Sequence, residues 1–442
     1  MAQARIEPRI LKGFRDYLPQ TALPRQRMVG TLQQVFASFG FAPIDTPALE
    51  YAEILLGKGS QETDKQMYRF QDQGDRDIAL RFDLTIPFAR FAAMHIGNLG
   101  TPFRRYHIAP VWRAEKPQRG RYREFIQCDF DIIGATGPYP DAEIVAVIHT
   151  AMESLKLNYR IRVNSRAVLN ALLNDLQAGD CSAAVLRAID KLEKLGRDTV
   201  ENELRDVAGL SPQQTSAVFA FLESTSTEGA ASDVCGVLRS HFSSNPAAQE
   251  AVSSLEQTLE LAIASGVEEQ RLAVDVSIAR GLDYYTGIVF ETVCLDAPHL
   301  GSVCSGGRYD NLASLYTSQS LPGVGASVGL DRVLAVLEEL NQLPQTSSPA
   351  TVLVTVFDED SMRACAKLAA RLRQHNVAAE IYPQPKKLSA QLKYANRRGI
   401  PFAVLGSTES YERGEFGLKE LESGTQHDGL GFDELLQHLR RC

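Results

Sequence analysis

The amino-acid pattern predicts an α+β protein: an antiparallel sheet, interrupted by a helical insertion and followed by a small α/β domain. Three observations carry this expectation. Strict alternation runs through Gly120 to Ile132. It sets Ile126, Cys128, Phe130 and Ile132 on one face and Arg121, Arg123, Phe125, Gln127, Asp129 and Asp131 on the other. A second strand-like run, Arg104 to Arg113, precedes it across the turn-prone Glu115 to Gly120, so the two form a long antiparallel hairpin. Helical patterns broken by Ser, Thr and Gly clusters occupy about 172–266, after which strand signals return. Beyond a polar linker, strand and helix patterns alternate, as in a small α/β unit.

The remaining elements follow in order. Apolar residues at helical spacing predict a helix from Pro24 to Phe39, stopped by Gly40, and the two prolines of Phe41 to Pro47 predict an edge strand or extended arm. Tyr68 to Arg81 reads as two short strands around Asp72 to Asp75. Thr85 is expected to N-cap a helix with Pro87 in its first turn and Gly97 just past its end. Asp141 to Leu155 is amphipathic, and Tyr159 to Val163 is strand-like. Past the insertion come strands at Ala273 to Ile278 and Ile288 to Val293. Gly301 to Tyr309 and Gly323 to Leu340 then supply a glycine-rich loop, a strand and a helix. The expected domains are 1–340, a linker at 341–350 and 351–442, the last with strands and helices at 352–357, 361–375, 378–382, 387–398 and 402–405.

Length and composition bound the function. A chain of 442 residues exceeds one ordinary hydrophobic core, and 44% hydrophobic with 23% charged residues is the composition of a globular protein. No apolar run is long enough to span a membrane, and Met1 to Phe14 has no signal-peptide core. Seven scattered cysteines without a CxxC pair predict reduced thiols, a cytoplasmic location and no zinc site. The net charge of −8 excludes an indiscriminately basic binder. Against that background, Arg104 to Arg123 holds seven Lys or Arg and one acid, Glu115, which suits phosphates.

Several signatures fail. Gly57 to Ser60 lacks the upstream glycine of a phosphate loop, and Gly323 to Gly329 misses the dinucleotide fingerprint by one residue. Two runs are more informative: Ala279-Arg280-Gly-Leu-Asp-Tyr284-Tyr285-Thr-Gly287 and Ser305-Gly-Gly-Arg-Tyr-Asp310. Either alone could be a tight turn with packed tyrosines. Together with the hairpin, the Asp83/Thr85 loop and Leu330-Asp-Arg332, they offer charge and hydrogen bonds to a single site.

These residues resemble a known family. Trp112-Arg-Ala-Glu115, the hairpin and Phe125 resemble motif 2 of the class II aminoacyl-tRNA synthetases, Gly325 to Arg332 resembles motif 3, and Gly40 to Pro47 resembles motif 1. The two runs around Arg280 and Arg308 are similar to the paired signatures of histidyl-tRNA synthetases. The resemblance spans nearly the whole chain and is weakest in the insertion. It implies a class II catalytic domain and an anticodon-binding domain.

The implied reaction makes histidyl-adenylate from histidine and ATP, then passes the histidyl group to tRNA(His). By similarity, Arg113 holds the α-phosphate, Phe125 and Arg332 sandwich adenine, Glu115 binds its amino group and Arg121 reaches the terminal phosphates. Arg280 stabilises charge as the carboxylate attacks. Asp83, Thr85 and Gln127 bind the amino group of histidine, and Asp131 with the Tyr284/Tyr285 pair reads its imidazole. Many bacterial members carry Glu where this chain has Asp83 and Asp131, so the pattern is similar to a eukaryote-like branch. The resemblance also implies Mg²⁺ with ATP, no protein-bound metal and a homodimer. The basic segment Lys386 to Arg398 fits tRNA phosphates or an ordinary solvated helix face. Two rivals would carry damage that this sequence lacks: a regulatory paralogue without the Arg280 signature and last domain, or an inactive sensor with broken ATP residues.

Overall fold

The computed structural model describes residues 6–57, 66–225, 231–278, 284–343 and 347–440. Arg280, with the rest of 279–283, lies outside them. Two compact units emerge. One is Met28–Asn341 with the N-terminal residues up to Arg15, and the other is Gln342 onward with Asp16–Arg27.

The large sheet of the first unit has eight strands: β1 (Ala42–Pro43), β2 (Phe103–Trp112), β3 (Glu124–Ile133), β4 (Tyr159–Ser165), β5 (Leu272–Val274), β6 (Ile288–Cys294), β7 (Ser302–Arg308) and β8 (Gly323–Gly329). Their order across the sheet is β1-β2-β3-β8-β7-β6-β4-β5. All pairings are antiparallel except those at the two edges, β1 with β2 and β4 with β5. The hairpin β2-β3 pairs over its full length, with Arg105 opposite Asp131 and Ala109 opposite Gln127.

Register separates two faces. Tyr106, Phe130, Ala326, Gly306 and Phe290 form one row. Phe36, from the helix Pro19–Ser38, packs on it with its ring 4.9 Å from Phe130 and 5.5 Å from Tyr106. The opposite face carries two polar rows, Arg105-Asp131-Gly325-Gly307 and His107-Asp129-Ser327-Ser305-Glu291. Both faces of β3 are therefore buried from Cys128 onward, and its charged side is buried among partners on neighbouring strands.

Element boundaries shift where local chemistry competes. The first helix begins at Pro19 and carries Pro24 inside it. The helix Thr85–Leu99 runs through Gly97 and ends at Gly100, whose φ is +76°. Its N-cap is Leu84 rather than Thr85, and Asp83 Oδ1 accepts the Ile86 N–H at 3.2 Å. An acidic side chain two residues earlier thus takes the capping role. The insertion holds helices Arg166–Asp175, Ser182–Ile189, Leu192–Leu195, Arg197–Asp206, Pro212–Ser224, Ala231–His241 and Pro246–Ala264.

The second unit has a five-stranded sheet in the order Ala379–Ile381, Val352–Val354, Phe402–Leu405, Phe416–Glu420, Gln426–Leu430. The first three strands are parallel, and the last two add an antiparallel hairpin. This hairpin and the helix Phe432–Arg440 were not anticipated, because Gln426–Leu430 has no apolar alternation.

Glycines let β8 lie close to its neighbours. A Cβ on Gly325 would stand 2.0 Å from Asp131 Oδ1, and one on Gly306 would stand 2.1 Å from the Gly325 carbonyl oxygen. We expect Gly325→Ala to lower stability by about 1–3 kcal/mol, the range for overpacking, while displacing the Asp131 carboxylate. Thermal denaturation checks the first effect. A crystal structure of the folded variant checks the second.

Candidate active site

A cavity of about 580 Å³ opens over the polar face of the sheet, within the size range of nucleotide sites. Arg113, Glu115, Arg121, Phe125, Gln127 and Arg332 all line it. The hairpin delivers the first five, and Arg332 stands in the first turn of the helix Leu330–Glu339. That helix is fixed to the hairpin by Asp331 Oδ2, which accepts the Ile126 N–H at 2.8 Å. Arg332 Nη1 donates to the Ser302 carbonyl. Arg113 Nε donates to the Phe82 carbonyl at 2.9 Å, and its guanidinium carbon lies 5.2 Å from the centre of the Phe125 ring. This fixes the arginine head over one end of the cavity.

Deeper in the same face lies a charged cluster. Arg105 is fully buried, with Nη2 2.7 Å from Asp131 Oδ2, 3.8 Å from Asp129 Oδ2 and 3.2 Å from the Leu84 carbonyl oxygen it donates to. Its guanidinium carbon sits 4.4 Å from the centre of the Phe88 ring. Asp131 Oδ1 accepts the Tyr309 hydroxyl at 2.5 Å. Tyr309 packs edge-on against Tyr284, which packs against Tyr285. Gln127 Nε2 donates to Ser327 Oγ at 3.0 Å, so this pair links the cluster to the cavity.

Burial dominates the titration of these groups. It pushes Asp83 up to about 6 and Asp129 up to about 7, and it raises Asp131, with the Arg105 charge opposing the rise in all three. Burial also holds the Tyr284 and Tyr309 phenols neutral. His107 is pushed down to about 4 by burial and by the nearby Arg105 and Arg81 charges, and its Nε2 lies 3.0 Å from Asp45 Oδ1. Four acceptors in this region, Asp83 Oδ2, Gln127 Oε1, Asp129 Oδ1 and Asp131 Oδ2, are buried without a hydrogen-bond partner, as are the Arg105 Nε and Nη1 donors. An orphaned buried polar group costs about 1–3 kcal/mol, so their concentration here marks a place shaped for a polar ligand from outside the chain, with more acceptors than donors to offer it.

The structure thus gathers the predicted residues into two adjoining groups. The cavity takes the six named above, and the deep cluster takes Asp83, Asp131, Tyr284 and Tyr285 with Thr85, which interacts with the Tyr284 hydroxyl. Sequence reasoning missed Arg105 and Tyr309. Both were visible as polar positions in strand patterns, but only pairing across the sheet brings them to Asp131. It also missed Arg166, whose Nη1 donates to the Tyr285 carbonyl at 2.8 Å and braces the tyrosine loop. In the run Ser305 to Asp310 only Tyr309 enters the cluster. Arg308 binds Asp141 at 2.6 Å and Asp310 at 3.1 Å, a brace to the helix Pro138–Ser154 rather than a ligand group.

Comparison with known proteins places this geometry. The profile of histidyl-tRNA synthetase matches residues 13–333, and that of an anticodon binding domain matches residues 351–441. The chain belongs to the histidyl-tRNA synthetase family. It is 51% identical to the histidine–tRNA ligase of Rhodopirellula baltica, over 96% of this chain and 95% of that one. The corresponding ligase of Wolinella succinogenes is 42% identical over 96% of each chain. The crystal structure of histidyl-tRNA synthetase from Nostoc sp. PCC 7120 superposes with a TM-score of 0.88 at 32% identity, covering 99% of this chain and 100% of that one. The antiparallel-sheet fold with its separate C-terminal unit is therefore that of a class II synthetase. Among the described residues no helix is long and apolar enough to cross a membrane.

A carboxyl whose native value is raised stabilises the fold fully below its unfolded value, and that contribution is lost as pH rises through the native value. For Asp83 the window runs from about 4, the unfolded reference, to about 6. Asp83→Asn should therefore match the wild type in stability near pH 4 and exceed it by on the order of 2 kcal/mol at pH 8. Denaturant melts of the ligand-free protein at both pH values check this, and equal stability at pH 8 would refute the strained carboxylate.

Proposed function

We propose that the protein is a histidine–tRNA ligase, which makes histidyl-adenylate from histidine and ATP and transfers the histidyl group to the 3′ end of tRNA(His). The observation that carries this reading is the junction of a phosphate-suited cavity with a buried acceptor cluster at Gln127 and Ser327. A histidine ammonium supplies three N–H donors, which suit unpaired acceptors such as Asp83 Oδ2 and Gln127 Oε1, while Asp131 and the tyrosines take the imidazole. Asp131 can accept from the ring, and the Tyr309 hydroxyl with Arg105 holds it in place. The substrate carboxylate then points toward the α-phosphate end of the cavity.

Adenylation joins a carboxylate oxygen to the α-phosphorus as the bond to pyrophosphate breaks. No side chain needs to become covalently attached. The task is to bring two anions together, and preorganised positive charge does this at low reorganisation cost. Arg113 serves at the α-phosphate, with its Nε already anchored to the backbone. Phe125 and Arg332 flank adenine, Glu115 accepts its amino group, and Arg121 meets the terminal phosphates. Arg280 is assigned the charge that develops during attack. Mg²⁺ enters with ATP, and Glu291 is among the cavity carboxylates suited to a hard cation. Residues 1–340 form the catalytic domain in this reading. The unit from 351 reads the anticodon, the protein acts in the cytoplasm, and it works as a homodimer.

Histidine-dependent exchange of pyrophosphate into ATP tests the reading, and its absence in folded protein would overturn it. Arg280→Ala should slow that exchange by roughly 100- to 1,000-fold with histidine binding retained, measured by single-turnover adenylate formation and equilibrium titration. Asp131→Asn should cut kcat/KM for histidine by roughly ten- to a hundredfold, the equivalent of one charge-assisted hydrogen bond, and leave the KM for ATP nearly unchanged. Equal losses toward both substrates would move the reading of the imidazole elsewhere.

A further inference from the structure

In the second unit, Glu420, His427 and His438 converge from three elements. Glu420 ends the strand Phe416–Glu420, His427 lies on the paired strand opposite Leu418, and His438 is in the last turn of the helix Phe432–Arg440. Glu420 is two residues beyond Leu418, so strand alternation points both toward the face that His427 shares. Leu418 packs in the core that also holds Leu435 of the helix, and His438 follows Leu435 by three positions on the same side. One donor atom from each of the three residues lies within 4.8 Å of the other two. The two imidazole rings are 4.5 Å apart and inclined at 39°.

The carboxylate is already oriented. Glu420 Oε1 is 3.7 Å from His427 Nε2, while Oε2 accepts the Ser423 hydroxyl at 2.9 Å, and Ser423 also bonds Thr425 Oγ1 at 2.9 Å. A hydrogen bond to the oxygen facing away from the cluster is the support that metal-binding carboxylates commonly receive. As a plain surface arrangement, the same three groups would contribute little, because a half-exposed pair is screened by water. Two imidazoles stacked beside one carboxylate would also repel each other whenever both were protonated.

We propose that Glu420, His427 and His438 bind a divalent transition-metal ion of the zinc type. Two imidazole nitrogens and one carboxylate oxygen are a donor set for Zn²⁺, Co²⁺ or Ni²⁺, with the remaining coordination positions open to water. A tetrahedral ion with ligands at about 2.1 Å needs donors roughly 3.4 Å apart, so the side chains close by about an ångström. The χ rotations of half-exposed residues supply that movement. An ion there would tie the β-hairpin to the final helix. The cysteine spacing gave no sign of it, because the ligands come from a strand end, a neighbouring strand and a helix.

The full-length protein, stripped with EDTA, is titrated with Zn²⁺ by calorimetry and with Co²⁺ by visible absorption, and melted with and without Zn²⁺. The proposal expects one ion bound per chain at this site, a raised Tm and a cobalt spectrum without thiolate charge-transfer bands. Glu420→Gln is isosteric and keeps the hydrogen bond to Ser423. It and His438→Gln should each weaken Zn²⁺ binding roughly tenfold or more, with circular dichroism in EDTA unchanged. No Zn²⁺ binding by the wild type, or an affinity that both variants retain within about twofold, overturns it.

Discussion

The buried guanidinium of Arg105 is the interaction on which the candidate site depends. It is fully buried beside Asp129 and Asp131, with Asp83 near enough to feel its charge. Burial raises all three carboxyls, and Arg105, helped at Asp83 by Arg113 and near Asp129 by Arg81, offsets only part of that rise. Removing the cation would leave buried charges uncompensated, a loss of about 3–5 kcal/mol for a broken buried pair. The Phe88 ring beneath Arg105 and the Leu84 carbonyl hold it in place. This explains why the loop before the helix Thr85–Leu99 must run where it does: it supplies Asp83 and Leu84, and the first turn of the helix supplies Phe88.

On the proposed assignment, this cluster gives a physical basis for choosing histidine. A substrate with an ammonium and a ring N–H brings the donors and positive charge that the cluster lacks, whereas a neutral side chain of similar size would leave acceptors unpaired. Sites built to meet a donor reject analogues without one far more strongly than apolar pockets reject a missing methylene. The deep carboxylates are raised by burial in the ligand-free protein. A cationic ligand should favour their ionised forms, so binding and proton release are coupled here. The same strain accounts for a stability lower than the fold could reach, a usual feature of functional sites.

The glycines make the second constraint. Gly325 and then Gly307 follow Asp131 along the row; a Cβ on Gly325 would meet Asp131 itself, and one on Gly307 would meet Tyr285. Glycine at 325 therefore serves close approach of a side chain from the adjoining strand, not a turn. Arg308, one residue further on, is buried as a brace with Asp141, and burial pushes that carboxyl up to about 6 against the pull of the arginine. The motif thus divides into a part that leaves room, a part that bonds Asp131 and a part that fixes the neighbouring helix.

How much was legible in the sequence follows from the range of each interaction. The hairpin from Arg104 to Ile132 was legible because alternation has a period of two and needs no knowledge of the rest of the chain. The helical insertion was legible from helical spacing broken by Ser, Thr and Gly clusters, and the strands of the second unit from short apolar runs between helical patterns, both of them local signals. Arg113, Glu115, Arg121, Phe125 and Gln127 could be grouped because they share one hairpin, and Arg332 joined them through its motif. The partners of Asp131 were not legible: Tyr309 reaches it from 178 positions away in the chain, and no local period encodes that pairing. The cap at Asp83, the brace between Arg308 and Asp141 and the convergence of Glu420, His427 and His438 were likewise decided by packing. The sequence alone determined which segments alternate and which carry charge. Only the tertiary structure decided which charges share a low-dielectric space, because that depends on strand order and register rather than on neighbours along the chain.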